Sequence, residues 1–131
     1  MVALHFAVPL ARVLGPPLVW IGLAPILVGV VINLIADAEF KRRATTVKPF
    51  EQSTALVTAG AFRFTRNPMY LGMVLMLVGV AILLGTGSPF LVVPVFMWLM
   101  TVRFIRVEET MLERVFGETF LEYKRRVRRW L

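Results

Sequence analysis

The sequence predicts an all-α fold, an integral membrane helical bundle that forms a single domain over residues 1–131. Hydrophobic residues make up 58% of the chain and charged residues 18%, whereas about 25% charged residues is usual in a soluble domain. A chain of this length keeps roughly a third of its unfolded-state surface exposed, so a soluble fold could not hide this many apolar side chains. Two charge-free stretches, residues 13–36 and 67–102, supply the apolar segments. We therefore expect three clear transmembrane helices, followed by an amphipathic interfacial helix.

The first transmembrane helix is predicted at residues 17–36. A helix needs about 20 apolar residues to cross ~30 Å of hydrocarbon, and residues 13–36 carry no charge. Pro16 and Pro17 suit its first turn, where a missing N–H costs no hydrogen bond. Residues 1–14 are too short to cross alone, and the sequence leaves open whether they add a fourth, short helix or lie at the interface.

The second and third transmembrane helices are predicted at residues 68–84 and 90–107. The charge-free stretch that contains them is long enough for two spans. Glycine, serine and proline at residues 85–89 divide this stretch, and such a cluster is typical of a turn. The two helices should therefore form a tight hairpin.

The net charge of +7 indicates how the bundle is oriented. Of the 15 Lys and Arg residues, 14 lie in residues 41–66 or 103–129, while the turn at residues 85–89 carries no charge. With three spans, both basic segments fall on one side, which the positive-inside rule assigns to the cytoplasm. The sequence thus predicts a multi-pass membrane protein with a cytoplasmic loop at residues 37–67 and a cytoplasmic C-terminus.

Residues 108–131 are predicted to form an amphipathic helix on the membrane surface, loosened midway by Gly117. Five of the six residues at 124–129 are basic, and we interpret them as anchors to anionic headgroups rather than as a nucleic-acid site. The apolar residues recur at steps of three and four, which is the spacing of one helix face; they are Leu112, Val115, Phe116, Phe120, Tyr123, Val127 and Trp130.

Composition excludes several kinds of site. The chain has no cysteine, which removes disulfides, thiolate metal sites and a cysteine nucleophile. His5 is its single histidine, so a zinc site of several histidines cannot form, and no serine–histidine pair is expected. It has no GxGxxG or Walker motif. The sequence therefore predicts no metal site and no nucleic-acid partner.

Two polar clusters border the membrane on the basic side, one before the second span and one after the third. Because these spans form a hairpin, their ends are neighbours, and the two clusters should face each other. Guanidinium groups there could bind a carboxylate or phosphate, and carboxylates could bind an ammonium group or ribose hydroxyls. Alternatively, these charges only anchor the helix ends in the interface. The residues concerned are Arg66, Asn67, Tyr70, Arg103, Arg106, Glu108 and Glu109.

An ordered series of short motifs resembles the isoprenylcysteine carboxyl methyltransferase and phospholipid methyltransferase superfamily. The series is TTVKPF, LVTAGAFRF, RNPMYLG at residues 66–72, then the Glu108–Glu109 pair, FG, a tyrosine and a terminal RRW. The resemblance covers about residues 45–131. It departs from the family at Asn67, where histidine is common, so no imidazole role carries over. The chain is also shorter at its N-terminus than family members with a complete extra helix.

The resemblance, to a short bacterial-type member of the superfamily, implies methyl transfer from S-adenosylmethionine at the cytoplasmic face of a bacterial or archaeal inner membrane. It implies that the C-terminal helix closes a cofactor pocket lined by Glu108, Glu109 and the RNPMY segment. Arg66 would hold the carboxylate of the cofactor or of an acceptor. Further catalytic candidates are Arg63, Arg103 and Arg106, and the cofactor-binding candidates of the segment are Asn67, Pro68, Met69, Tyr70 and Leu71.

Other polar and small residues have simpler expected roles. Gly72 and Gly79 should allow close helix packing. Asn33, inside the first span, is a candidate for an interhelical hydrogen bond. A loop over the pocket is expected from Thr46, Lys48 and Pro49.

Two rival functions remain open at the level of sequence. One is an NADPH-dependent membrane reductase of related architecture, and the other is a non-catalytic membrane scaffold whose motif only packs helices. For a methyltransferase, the acceptor is expected to be lipophilic and to enter from the bilayer. A prenylated cysteine carboxylate, a phospholipid amine and a small hydrophobic thiol or acid all fit. The oligomeric state cannot be read from the sequence.

Overall fold

The computed structural model describes residues 1–45 and 52–131, and within these ranges the chain is helical, with one isolated β-bridge between Arg12 and Thr86. Short 3-10 turns occupy Leu18–Gly22, Gly60–Arg63 and Ser88–Leu91, and a π turn occupies Thr101–Ile105. The α-helices are α1 (Val2–Ala7), α2 (Leu23–Arg42), α3 (Pro68–Leu84), α4 (Val92–Met100), α5 (Arg106–Phe116) and α6 (Glu118–Arg126).

Two continuous helical segments are long and apolar enough to cross a membrane. Leu18–Arg42 has 25 residues and Ser88–Phe116 has 29, and in their most apolar stretches only 11% and 6% of the residues are buried within the protein. Apolar side chains on the outside of the fold suit contact with lipid. Pro68–Leu84 is a shorter apolar helix of 17 residues, so the structure does not confirm three clear transmembrane helices.

The bounds of α3 are those that the sequence predicts. Pro68 stands in its first turn, where proline is favoured. Gly85 ends it with φ +69°, a left-handed conformation that glycine adopts without strain. The predicted end of the third transmembrane helix, at residue 107, differs from the structure. There the helix continues from Ser88 through the π turn to Phe116. The third span and the start of the surface helix are thus one helix.

Helices α2 and α3 pack antiparallel at two glycine contacts. A Cβ on Gly29 would overlap the carbonyl oxygen of Gly72, and a Cβ on Gly79 would overlap that of Gly22. Such close backbone approach is what small residues permit between membrane helices. The packing role predicted for Gly72 and Gly79 is therefore confirmed.

Asn33 also lies at this helix crossing. A Cβ on Gly72 would come within 2.7 Å of its Oδ1 atom. That oxygen is buried, and no donor among the described residues hydrogen-bonds to it. The structure therefore places Asn33 between the two helices, as predicted, without showing a hydrogen bond to its oxygen.

The N-terminal segment folds over the turn between α3 and α4. Helix α1 has six residues, about 9 Å, and is too short to be a fourth span. His5 Nδ1 lies 2.8 Å from Thr86 Oγ1, and Ser88 Oγ donates to the Leu4 carbonyl at 3.2 Å. The Val13 N–H donates to the Gly85 carbonyl at 2.8 Å. This cap lies at the end of α3 opposite Pro68.

The predicted surface helix is divided in two. Gly117, with φ +54°, separates α5 from α6, at the residue where the sequence predicts a weak point. On α6, Phe120 and Tyr123 are buried within the protein. The apolar face of this segment therefore packs on the bundle rather than entirely on lipid.

Candidate functional site

The segment before α3 is held by the backbone of the last residues of the chain. The Arg66 N–H donates to the Arg128 carbonyl at 2.9 Å. Thr65 Oγ1 and Asn67 Nδ2 both donate to the Arg129 carbonyl, at 3.1 and 2.9 Å. Asn67 thus uses its amide to fix the C-terminal segment, a contact that needs no imidazole. The start of α3 and the tail after α6 form one assembly.

A buried carboxylate lies between two arginines at this assembly. Arg129 Nε and Nη2 donate to the two oxygens of Glu109 at 3.1 and 2.7 Å, a bidentate pair of the strong, charge-assisted kind. Arg66 Nη1 lies 3.2 Å from Glu109 Oε1. The Arg66 and Glu109 side chains are each only 9% exposed, and that of Arg129 is 33% exposed. The hydrogen bonds that Arg129 donates to Glu109 raise the pKa of Arg129 above its usual value.

Arg66 keeps hydrogen-bonding capacity despite this ion pair. Its Nε and Nη1 atoms are buried, and neither has a hydrogen-bond partner in the described part of the chain. Nη1 is ion-paired with Glu109, whereas Nε is the donor that the ion pair leaves unused. A buried guanidinium donor without a partner is costly, because it has given up water and gained no acceptor. A bound ligand that carries an acceptor would remove that cost.

The second carboxylate of the pair has a different environment. The Tyr70 hydroxyl donates to Glu108 Oε1 at 2.8 Å, which joins α3 to α5. Glu108 is half-buried, and it lies beside the same cavity as Arg66. The structure therefore brings together the two polar clusters that the sequence places at neighbouring helix ends.

These residues surround a cavity of about 260 Å³, close to the lower end of the range of small-molecule sites. Seven of the predicted site residues line it: Arg66, Asn67, Pro68, Met69, Tyr70, Glu108 and Glu109. Leu71 lies on α3, half-buried and outside the lining. Arg63, Arg103 and Arg106 are exposed and do not line it either, because their backbone positions turn them to the outside of the fold.

The rest of the lining is mostly apolar and was not predicted from the sequence. It comes from α2, from the segment at residues 53–62, from α3 and from the C-terminal helices: Phe40, Ser53, Ala55, Leu56, Val57, Phe62, Met73, Met111, Leu112, Val115, Phe120 and Tyr123. Leu112, Val115, Phe120 and Tyr123 belong to the apolar face recognised in residues 108–131. That face was the available signal, but its spacing cannot tell a cavity wall from a lipid contact.

Tyr123 is fixed in the wall by its hydroxyl group, which donates to the Phe62 carbonyl at 2.7 Å. Burial raises the pKa of this phenol above its usual range, so it stays protonated and keeps its hydrogen bond. Tyr123 and Arg129 both connect the C-terminal segment to the start of α3. The expected closure of the pocket by the C-terminal helix is consistent with these contacts.

A shallow apolar groove of about 300 Å³ adjoins the cavity between α3 and α4. Its lining is Met73, Met76, Leu77, Val80 and Phe96. Met73 lines both spaces, so the groove lies next to the cavity along α3.

Two further predictions concern the loop and metals. The loop residues Thr46, Lys48 and Pro49 lie outside the described residues. In residues 1–45 and 52–131, no group of three or more His, Cys, Asp or Glu side chains is close enough to hold a metal ion.

Comparison with known proteins identifies the family. The model of the phospholipid methyltransferase family matches residues 17–119. A protein of Arabidopsis thaliana named protein-S-isoprenylcysteine O-methyltransferase A is 32% identical over 104 residues, which are 78% of this chain and 53% of that protein. A rice protein named "Probable protein-S-isoprenylcysteine O-methyltransferase" is 28% identical over 110 residues, 82% of this chain and 58% of its own length.

A shorter relative matches from end to end. An uncharacterized protein of Haemophilus influenzae is 40% identical over 63 residues, which are 48% of this chain and all of that protein. No solved structure gives a significant match. The chain spans a little over half the length of the plant relatives. Because the family model covers most of the chain, including the RNPMY segment and both carboxylates, the chain belongs to the phospholipid methyltransferase family, within the superfamily that includes the isoprenylcysteine methyltransferases.

Proposed function

We propose that the chain is an S-adenosylmethionine-dependent methyltransferase that acts at the cytoplasmic membrane face on a lipophilic acceptor. The observation that carries the proposal is a pair of opposite charges beside one cavity. The buried Arg66 guanidinium has two nitrogens without hydrogen-bond partners in the described residues, and the Glu108 carboxylate lines the same space. A ligand with both a carboxylate and an ammonium group or hydroxyls would satisfy both.

The donor and acceptor groups fit a zwitterionic nucleoside. Arg66 would bind the carboxylate of its amino-acid end, and Glu108, oriented by Tyr70, would bind the ammonium group or the ribose hydroxyls. Phe62, Phe120 and other apolar residues would contact the ring and favour a neighbouring cationic sulfur. When bound, S-adenosylmethionine supplies an electrophilic methyl group on a sulfonium.

The residues of this chain would align the reactants and exclude water rather than act as acids or bases. Aligning two reactants and removing water can supply much of the rate of an in-line displacement, and it needs no proton transfer when the acceptor is a carboxylate or thiolate. Glu109 is engaged by Arg129 and Arg66, so we assign it to holding Arg66 in place. Glu108 is then the carboxylate that contacts the cofactor.

The apolar groove supports a lipophilic acceptor. It begins at Met73, in the wall of the cavity, and runs toward Val80 between α3 and α4. A hydrocarbon chain lying there would leave its polar end at the cavity. An isoprenylcysteine-like carboxylate fits the names of the plant relatives, and a lipid amine fits the family description. The basic segments lie at the cavity end of α3, which favours the cytoplasmic face.

Ligand titration tests the proposal. Purified protein in detergent is titrated with S-adenosylhomocysteine, the product form of the cofactor, and separately with NADPH, with binding measured by calorimetry. We expect S-adenosylhomocysteine to bind and NADPH not to bind. Binding of NADPH alone would favour the reductase, and binding of neither would favour a scaffold. Both results contradict the proposal.

A matched pair of variants tests the site. Glu108→Gln removes a charge beside the cavity, and Glu113→Gln removes one from an exposed carboxylate that pairs with Lys124 at 3.7 Å. A hydrogen bond to a charged group contributes about 1.5–3 kcal/mol, so Glu108→Gln should weaken S-adenosylhomocysteine binding about tenfold to hundredfold. Glu113→Gln should leave it unchanged. Equal affinities for the two variants would remove Glu108 from the cofactor site.

A further inference from the structure

The helix that runs from the apolar groove to the cavity contains a π turn halfway along. In the continuous helix Ser88–Phe116, the N–H of Arg106 donates to the carbonyl of Thr101, five residues earlier. An α-helix would join residues four apart. Single π turns inside α-helices are rare and are frequently found at functional sites.

The turn changes which side chains share a face of this helix. Phe96 lines the groove before the turn, and Glu108, Met111 and Val115 line the cavity after it. Their separations from Phe96 along the chain are 12, 15 and 19 residues. At about 100° per residue, an uninterrupted α-helix would rotate them about 120°, 60° and 100° away from Phe96. They would then point away from the face that packs on α3.

One π turn contains one residue more than an α turn. One residue is therefore subtracted from each separation before the rotation around the helix is calculated. The effective separations become 11, 14 and 18 residues, which are close to three, four and five whole turns. Glu108, Met111 and Val115 then fall within about 40° of Phe96, and Leu112, which also lines the cavity, lies about 60° away. Glu109 lies about 120° from Phe96, on the side of α5 that faces Arg66 and Arg129. The groove face and most of the cavity face of the long helix then coincide.

Local contacts are consistent with an extra residue in this turn. The Thr101 hydroxyl donates to the Met97 carbonyl at 2.7 Å, a bond that competes with the regular backbone ladder and often bends helices. Ile105, at the end of the turn, is fully buried, whereas Val102 is 36% exposed. Deletion of Val102 would therefore remove less internal packing than deletion of Ile105.

We infer that the π turn Thr101–Ile105 is a positioning element that sets the rotation of α5, and so directs Glu108 to Tyr70 and Glu109 to Arg66 and Arg129. Its significance for cofactor binding rests on the proposed function. If the turn became α-helical at the same chain length, α5 would rotate by about 100° and both carboxylates would leave their partners. Removing one residue from the turn would instead restore an α-helix and keep the present faces.

Cross-linking tests this geometry directly, because the chain has no cysteine and introduced thiols are unique. Tyr70→Cys with Glu108→Cys reports on the site, where the native side chains are 2.8 Å apart. Met76→Cys with Phe96→Cys reports on the packing of α4 against α3 before the turn. Each pair is treated with a short bifunctional thiol reagent in the full-length chain, in a chain lacking Val102, and in a chain with one alanine inserted after Val102.

We expect the deletion to keep both cross-links at the efficiency of the full-length chain. The insertion should keep the cross-link at residues 76 and 96 and lose at least tenfold in efficiency at residues 70 and 108. With Tyr70 and Glu108 intact, S-adenosylhomocysteine affinity should stay within about threefold for the deletion and fall at least tenfold for the insertion.

Two results would overturn the inference: loss of the 70–108 cross-link in the deletion, or its full retention in the insertion. The outcome for the proposed function is separate. If the cross-links behave as expected but the full-length chain does not bind S-adenosylhomocysteine, the proposed function is wrong and the positioning role of the π turn stands.

Discussion

Replacing Glu109 by glutamine should destabilise the protein, because it leaves the buried Arg66 guanidinium without a counter-ion. The substitution removes the anion from a bidentate pair with Arg129 and from an ion pair with Arg66. The side chain of Arg66 is 9% exposed, so its guanidinium recovers little hydration when its counter-ion is lost. Arg129 is a third exposed and can be hydrated in part.

The expected magnitude follows from this difference in burial. Removing one partner of a buried ion pair costs about 3–5 kcal/mol, mainly because the other charge stays buried, and we assign this cost to Arg66. The partly exposed Arg129 contact adds less than about 1 kcal/mol, since water screens it. Glu108→Gln is the matched control. It should cost less than about 1 kcal/mol, because glutamine still accepts the Tyr70 hydrogen bond.

The free energy of unfolding is measured by titration with a denaturing detergent in mixed micelles, for both single variants and for the double variant Arg66→Gln with Glu109→Gln. The double variant should be more stable than Glu109→Gln by about 2 kcal/mol, because it leaves no buried unpaired charge at Arg66. Equal stability of Glu109→Gln and Glu108→Gln would refute the assignment. So would a double variant less stable than Glu109→Gln alone.

Two other substitutions test the packing that surrounds the site. Gly72→Ala should lower the free energy of unfolding by about 1–3 kcal/mol, because the new methyl group would meet the backbone of Gly29. The control is Gly87→Ala, where the added carbon has its nearest neighbour at 3.6 Å, and it should change the free energy of unfolding by less than about 0.5 kcal/mol. Both values are measured by the same detergent titration. Tyr123→Phe should lower the free energy of unfolding by about 1–2 kcal/mol, since it leaves the buried Phe62 carbonyl without its donor. It should also weaken S-adenosylhomocysteine binding, measured by calorimetry. An unchanged affinity would show that this contact does not shape the cavity.

Helix α3 and the meeting of the two polar clusters could be predicted from the sequence. Proline and glycine are local signals that mark the ends of α3, and a hairpin brings its own ends together whatever the details of packing. Arg66 and Glu109, and Tyr70 and Glu108, therefore meet as expected.

The role of Arg129 and the π turn could not be predicted in the same way. Arg129 is one of several basic residues near the end of the chain. It reaches Glu109 because of the direction that the backbone takes after Gly117, which the sequence does not reveal. The π turn lies in a continuous apolar segment, where an extra residue leaves no mark in composition. Hydrophobic spacing along Ser88–Phe116 indicates a helix but does not report its rotation.

The two glycine contacts between α2 and α3 also bear on how a lipid could reach the cavity. The contacts at Gly22 and Gly29 are seven residues apart, about 10 Å along the axis, and two separate points of backbone contact fix both the crossing angle and the register of a helix pair. Helices α2 and α3 therefore behave as one rigid wall. On the α4 side, larger side chains such as Phe96 and Met76 separate the helices. A lipid can therefore reach the cavity from the bilayer between α3 and α4.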